Sequence, residues 1–213
     1  MKKIDWAHEF EYKMSIFPMA QSLMVLSSFI MFIKNPSLLA ALWFIFSVYL
    51  FPLLTSRLVN IFFPTREGRY RIGRKGVEGW VLQLKIQIFL TTFPYFERAL
   101  HMVPGLYSVW LRAWGSKIGK RVIWTPHVEV IDRNLIEVGD DVIFGHKTVL
   151  TSHVIFRIKD EHLVYAKKVK VGKGVIVGGD SILGPGMVVE DYVQVPALTQ
   201  IIKIKKDNNG VLN

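Results

Sequence analysis

The sequence predicts a mainly β protein, a parallel β-solenoid carried behind a helical membrane hairpin, and three observations predict it. Two uncharged apolar stretches fill most of the first sixty residues, an aromatic-rich stretch cut by prolines follows, and from Ile118 onward apolar residues recur every six positions. The chain has 213 residues, an apolar share of 51%, a formal net charge of +10 and a mean hydropathy of +0.30. That apolarity is high for a protein that meets only water. The positive charge suits nucleic acid, an anionic membrane face or a polyanionic co-substrate, so its distribution has to decide. The chain has no cysteine, which excludes a disulfide framework, a thiolate nucleophile and Cys-ligated zinc.

Residues 1–64 read as a transmembrane helical hairpin. From Ser15 to Ile33, and again from Ser37 to Thr55, no residue is ionisable, and only "KNP" lies between the two stretches. Each approaches the roughly 20 residues that a helix needs to cross about 30 Å of hydrocarbon. A cleaved signal peptide fits less well, because the leading "MKKIDWAHEFEYK" is long and mixed in charge and a second apolar span follows at once. A pair of buried core helices also fits less well, because the apolarity runs all round both segments. Lys2, Lys3 and Lys13 precede the first span, while Arg57, Arg66, Arg69, Arg71, Arg74 and Lys75 follow the second. The tip holds only Lys34, so the positive-inside rule puts both termini and everything after residue 60 on the cytoplasmic side of a multi-pass protein of the cell (inner) membrane.

Residues 65–115 read as a basic juxtamembrane segment followed by interfacial amphipathic helices. Lys85, Glu97, Arg98 and Arg112 interrupt the apolar run, and Pro94 and Pro104 cut it. Trp and Tyr rings suit a membrane interface, and a short third span over residues 81–93 is the alternative. His101 reads as a histidine at a wet boundary.

Residues 116–202 carry the repeat. Written in sixes from Ile118 they give "IGKRVI", "WTPHVE" and "VIDRNL"; after "IE" come "VGDDVI", "FGHKTV" and "LTSHVI"; from Val171 come "VGKGVI", "VGGDSI", "LGPGMV", "VEDYVQ" and "VPALTQ". The first place is always apolar, and the fifth is small or apolar except at Asn134. Two inward places in every six describe a short strand and a sharp corner, which bury apolar groups only by stacking coil on coil. The interruption predicts an excursion loop over 157–170, and residues 203–213 form a basic tail.

These blocks resemble the hexapeptide repeat of left-handed parallel β-helix acyltransferases. Within that superfamily, residues 111–153 resemble the opening of the galactoside, maltose and colanic-acid type acetyltransferases, and "KVKVGKGVIVGGDSILGPGMVVEDYVQVP" resembles their closing coils. The resemblance implies left-handed coiling, a homotrimeric prism, and coenzyme A thioesters, from acetyl to longer acyl, as co-substrates bound in clefts between neighbouring prisms. It implies a histidine general base in the place of His153, which ends "LTSH" before the excursion, and an oxyanion donor in the backbone N–H of Gly179. It also puts Asp132 at an acidic position near the acceptor. The approach from "VGDD" to His153 is shorter than in the galactoside enzymes, and their "GNPAK"-like ending is absent.

Imidazole suits acyl transfer because it is a base near neutral pH, and direct transfer needs no covalent enzyme intermediate. His127, His146 and His162 are secondary candidates, the first two at exposed corners and the third in the excursion. Lys173, Gly178, Gly179, Lys203 and Lys205, with Lys206, are the expected contacts of the cofactor; no metal is expected. An acyl carrier protein is the alternative donor. The membrane hairpin points to a lipid-linked or hydrophobic acceptor. Rival readings are a catalytically silent trimeric scaffold and a zinc lyase using His127, His146 and His153. Nucleic acid is excluded as a partner, because the charge lies in juxtamembrane segments and the tail and no recognition module is present.

Overall fold

A computed structural model describes residues 13–72, 76–158 and 161–201. The chain divides into two compact units, one of residues 1–65 and 75–96 and the other of residues 66–74 and 97–213. The division falls inside the stretch read above as a single interfacial segment.

The first unit is helical. Helix α1 (Phe17–Lys34) opens with a proline in its first turn, where a missing N–H costs nothing, and closes where Asn35 N–H reaches the Met31 carbonyl. Helix α2 (Leu38–Ile45) is capped by Ser37, whose hydroxyl accepts from Ala40 N–H at 3.2 Å. A π-helical turn (Phe46–Leu50) then leads into α3 (Phe51–Phe62), where Pro52 has no N–H to offer the preceding turn. By length and composition, Phe17–Lys34 and Leu38–Phe62 can each cross a membrane. On α1 only the stripe Gln21, Val25 and Ser28 is buried, while Met19, Leu23 and Ile33 are each about 60% exposed. Helix α4 (Glu78–Thr92) behaves in the opposite way and buries nine residues, from Gly79 to Leu90. It packs as a core helix of this unit. Gln83 ties it to α3, accepting from the Ser56 hydroxyl at 2.6 Å and donating to the Ser56 carbonyl at 3.0 Å.

Helix α5 (Tyr95–Leu100) crosses the boundary between the units, and α6 (Leu106–Trp114) lies in the second. Strand β1 (Gly68–Arg71) belongs to the second unit as well. Most of the second unit is a solenoid of short parallel strands: β2 (Lys117–Ile118), β3 (Ile123–Trp124), β4 (Glu129–Val130), β5 (Ile136–Val138), β6 (Ile143–Phe144), β7 (Val149–Leu150), β10 (Val169–Val171), β11 (Ile176–Val177), β12 (Ile182–Leu183), β13 (Val188–Val189), β14 (Gln194–Val195) and β15 (Gln200–Ile201). They form three parallel sheets in the orders β2-β5-β10-β13, β3-β6-β11-β14 and β4-β7-β12-β15, the three walls of a prism.

The register carries the first place of every hexad into continuous columns. Ile118, Val138, Val171 and Val189 stack in the first wall. Trp124, Phe144, Val177 and Val195 stack in the second, and Val130, Leu150, Leu183 and Ile201 in the third. The first coil is closed by α6, which buries Tyr107, Trp110, Leu111 and Trp114. Trp124 stacks on Phe144 at 4.7 Å, meets Tyr107 edge-on at 5.2 Å and donates from its indole nitrogen to Ser108 Oγ at 2.8 Å.

The fourth place of the hexad makes the corner. Arg121, His127, Asp141, Lys147, Gly174, Asp180, Gly186, Tyr192 and Leu198 all occupy it, and all have φ between 54 and 75°. A left-handed residue reverses the chain in one step, which lets three two-residue strands close a coil within eighteen residues. Arg133 in "VIDRNL" and His153 in "LTSHVI" are the two fourth-place residues outside this set.

The excursion is an ordered β-hairpin rather than a loop, and it begins earlier than the repeat predicts. Strand β8 (His153–Ile158) pairs antiparallel with β9 (Glu161–Ala166), and β1 adds a third strand along β9. The hexad frame therefore ends at Leu150. Val154, expected to face inward, instead pairs with Tyr165 and is half-buried.

Candidate active site

The third corner of the prism, between the third wall and the first, is where the repeat loses its left-handed turn, and it does so twice in succession. In the first coil the corner runs through Asp132 and Arg133; in the second it runs through Ser152 and His153. Because coils stack, these two irregular corners lie one above the other. Ser152 N–H donates to Asp132 Oδ2 at 2.8 Å, and the Ser152 hydroxyl donates to the Leu135 carbonyl at 2.9 Å. His153 Nδ1 then lies 2.8 Å from Asp132 Oδ2 and 3.0 Å from Oδ1.

A carboxylate can only accept, so the Nδ1 atom facing it carries the proton and the imidazole lone pair sits on Nε2. Asp132 is 3% exposed and its side chain is held by a backbone N–H, which makes it a rigid orienter. The His153 side chain is 17% exposed, open enough to meet a second molecule. A histidine with its tautomer fixed by a buried carboxylate is an arrangement that can serve as a general base. Asp132, expected near the acceptor, makes its side-chain contact with the imidazole of His153.

The corner is braced from behind by a buried ion pair that the sequence reading did not identify. Arg133 Nε donates to Glu97 Oε1 at 2.7 Å, and its Nη2 donates to Glu97 Oε2. Trp110 Nε1 donates to the same Oε1 at 2.7 Å, Ser116 Oγ donates to the Arg133 carbonyl at 2.7 Å, and the guanidinium lies 5.9 Å from the Trp114 ring centre. Burial opposes the charge on Arg133, and Glu97 outweighs it, holding the guanidinium above its ordinary pKa. The available signal was Arg133 itself, a cation in the one hexad whose fifth place, Asn134, is neither small nor apolar.

The remaining predicted residues occupy other edges of the same unit. Gly178, Gly179, His127 and His146 all belong to the second corner, between the second and third walls. There Asp180 N–H donates to the His146 carbonyl at 2.8 Å, and the exposed rings of His127 and His146 meet edge-on at 5.1 Å. A single chain thus separates Gly179 from His153 by one wall of the prism, and separates His153 from the other two histidines of the zinc reading. Lys173 stands at the first corner, where it lines a cavity of about 530 Å³ together with Arg112, Lys117 and Asp140. Arg112 and Lys117 beside it were not foreseen. His162 is exposed on β9 opposite Arg157. Lys203, Lys205 and Lys206 lie outside the described residues.

Two further titratable groups sit near the first coil. Burial pushes His101 below the ordinary histidine range and pushes the Tyr107 phenol well up, and the two rings lie 4.0 Å apart. Where the hairpin rejoins the solenoid, a hydrogen bond from Lys168 at 2.8 Å holds Glu137 low.

No family model matches the chain. No curated protein matches it either. Among solved structures, it is similar to a hexapeptide-repeat acetyltransferase of Vibrio cholerae O1 biovar eltor complexed with acetyl coenzyme A, at 14% identity over 55% of this chain and 82% of that one, with a TM-score of 0.35. It is also similar to serine acetyltransferase isoform 3 of Entamoeba histolytica in complex with cysteine, at 10% identity over 79% of this chain and 62% of that one, with a TM-score of 0.24.

Proposed function

We propose that the chain is a membrane-anchored acyltransferase that moves an acetyl or longer acyl group from acyl-CoA to a hydroxyl, or less readily an amine, of a lipid-linked acceptor. The observation that carries this reading is the Asp132–His153 pair, built where the hexapeptide repeat breaks. In the proposed reaction His153 Nε2 takes the acceptor's proton as its oxygen attacks the thioester carbonyl. The tetrahedral intermediate collapses, the C–S bond breaks, and the departing thiolate receives the proton from the imidazolium.

The oxyanion needs a donor, and Gly179 N–H supplies it in this reading from a neighbouring copy, since its own corner is separate from that of His153. This requires the homotrimer that the resemblance to hexapeptide-repeat acyltransferases implies. A row of outward isoleucines on the second wall, Ile123, Ile143 and Ile176, supports self-association: Ile123 and Ile176 are exposed in one chain. Lys173, Lys117 and Arg112 offer positive charge for the phosphates of coenzyme A, or for the acidic surface of an acyl carrier protein.

The lipid-linked acceptor rests on the helical unit. Its two long helices expose apolar side chains as a lipid-facing surface does. It also holds a cavity of about 470 Å³ walled by Val25, Leu26, Phe29, Phe44, Phe89 and Phe93, a lining that suits hydrocarbon and not a sugar.

The test is a turnover assay of the detergent-purified chain against a panel of acyl-CoAs, with membrane lipid extracts as acceptors. The expected result is labelled acyl lipid from wild type and a loss of about 10²–10⁴-fold in His153→Ala with its folding unchanged. Equal turnover in the two proteins removes His153 as the base, and no turnover with any donor, alongside intact cellular function of His153→Ala, supports the scaffold instead.

A further inference from the structure

Asp132 is followed in the chain by a cation, and that adjacency creates a problem which the structure resolves. An arginine one residue from the orienting carboxylate competes for the oxygens that His153 Nδ1 needs. The carboxylates that favour the charge on Arg133 are Glu97 and Asp132. Glu97 takes the guanidinium through two of its nitrogens, and both members of this pair are nearly excluded from water, at 2% and 9% side-chain exposure. Glu97 is itself fixed by the Trp110 indole, and the Arg133 backbone by Ser116. Nearby, Arg98 pairs with Glu129 at 3.0 Å.

From this geometry, and resting on the reading of His153 as the base, we propose that Glu97 is a positioning residue for catalysis: it holds Arg133 on its own carboxylate so that the Asp132 carboxylate serves His153. The buried pair does more than fill space, because its two halves have unequal consequences. Removing both charges leaves Asp132 on His153. Removing Glu97 alone leaves a buried cation on which Asp132 is the other carboxylate acting, and that cation then draws Asp132 off the imidazole.

The experiment compares Glu97→Gln with Glu97→Gln/Arg133→Met in the full chain in detergent. It follows kcat and KM and, independently of turnover, the downfield Nδ1–H resonance of His153 in protein with ¹⁵N-labelled histidine. The expected result is that Glu97→Gln lowers kcat by about ten- to a hundredfold with KM little changed and displaces or broadens the resonance, while the double variant recovers most of both. Equal loss in the two variants, or no change in the resonance with Glu97→Gln, overturns the proposal and reduces the pair to a structural brace. The two readings fail separately: active His153→Ala removes the base but leaves the resonance to report on Glu97.

Discussion

Nine corners of the solenoid and the two remaining ones solve the same geometric problem in different ways. At the nine, one left-handed residue turns the chain, and residues as different as Gly174, Asp141, Lys147, Tyr192 and Leu198 serve. At the two, the turn is spread over several residues, and side chains replace the missing geometry: Asp132 accepts from Ser152 N–H, Ser152 donates to Leu135, and Arg133 is anchored by Glu97 and Ser116. A regular corner is cheap and anonymous. An irregular one is held by named polar groups, and those groups fix an imidazole. The regular corners also bury polar groups, Thr148 and Ser181, but spend them on backbone atoms of the turns, whereas the irregular corners turn theirs on one another and on an imidazole.

Breaking the irregular corner has the largest expected effect on activity. Asp132→Asn keeps the size of the side chain but offers an amide that can turn its NH₂ toward Nδ1, which favours the wrong imidazole tautomer. Turnover is expected to fall about 10²-fold or more while Tm changes little, because Ser152 N–H still finds a carbonyl oxygen. Steady-state kinetics and a thermal melt on the same preparation check both halves. A loss of turnover matched by a loss of folding would return Asp132 to a structural role.

The comparison also explains what was legible beforehand. The columns of the prism followed from period six alone, since a first place that is apolar in eleven blocks can only be a stack. His153 was legible as the last residue before an interruption. The hairpin was not, because β8 begins inside the apparent hexad "LTSHVI" and so reads as one more coil, and the strand that pairs with β9, β1, lies over eighty residues earlier in a stretch that reads as basic linker. Glu97 was not legible either. It stands in an aromatic run, and nothing in its spacing says that it meets a residue 36 positions on. The burial of α4 was hidden for a related reason: Lys85 breaks its apolar run in sequence, while the amides of Gln83 and Gln87 are spent on Ser56 and on the carbonyl of Gln83 inside the unit.

Breaking a regular corner acts on stability instead. Gly145 opens the second corner of the second coil, and a Cβ there would lie 2.5 Å from Gly179 N and 2.8 Å from the Gly178 carbonyl carbon, both rigid backbone. Gly145→Ala therefore has to push two coils apart, at about 1–3 kcal/mol, or several degrees of Tm for a chain of this size. Turnover per folded molecule is expected to hold within about twofold if Gly179 plays no part in the reaction. A larger loss, with His153 untouched one wall away, is what the oxyanion role predicts, since the clash displaces the Gly179 N–H itself. One substitution thus reads both the scaffold and the second half of the site.

The smallest effect belongs to the corner residue itself. Lys147 is exposed at φ 57°, a conformation that costs a side-chain-bearing residue about 1–2 kcal/mol. Lys147→Gly removes that strain but loosens the unfolded chain by about 0.5–1 kcal/mol, so the expected net gain is about 0.5 kcal/mol, or one to two degrees of Tm, with turnover unchanged. Glycine at the equivalent fourth places, Arg133 and His153, has no left-handed strain to relieve and removes a side chain that holds or forms the site. A stabilising Lys147→Gly beside destabilising or inactive glycine variants at those two positions would mean that the left-handed turn is the default of this solenoid. The two departures from it would then be maintained against the scaffold's own preference, by the polar contacts that orient His153.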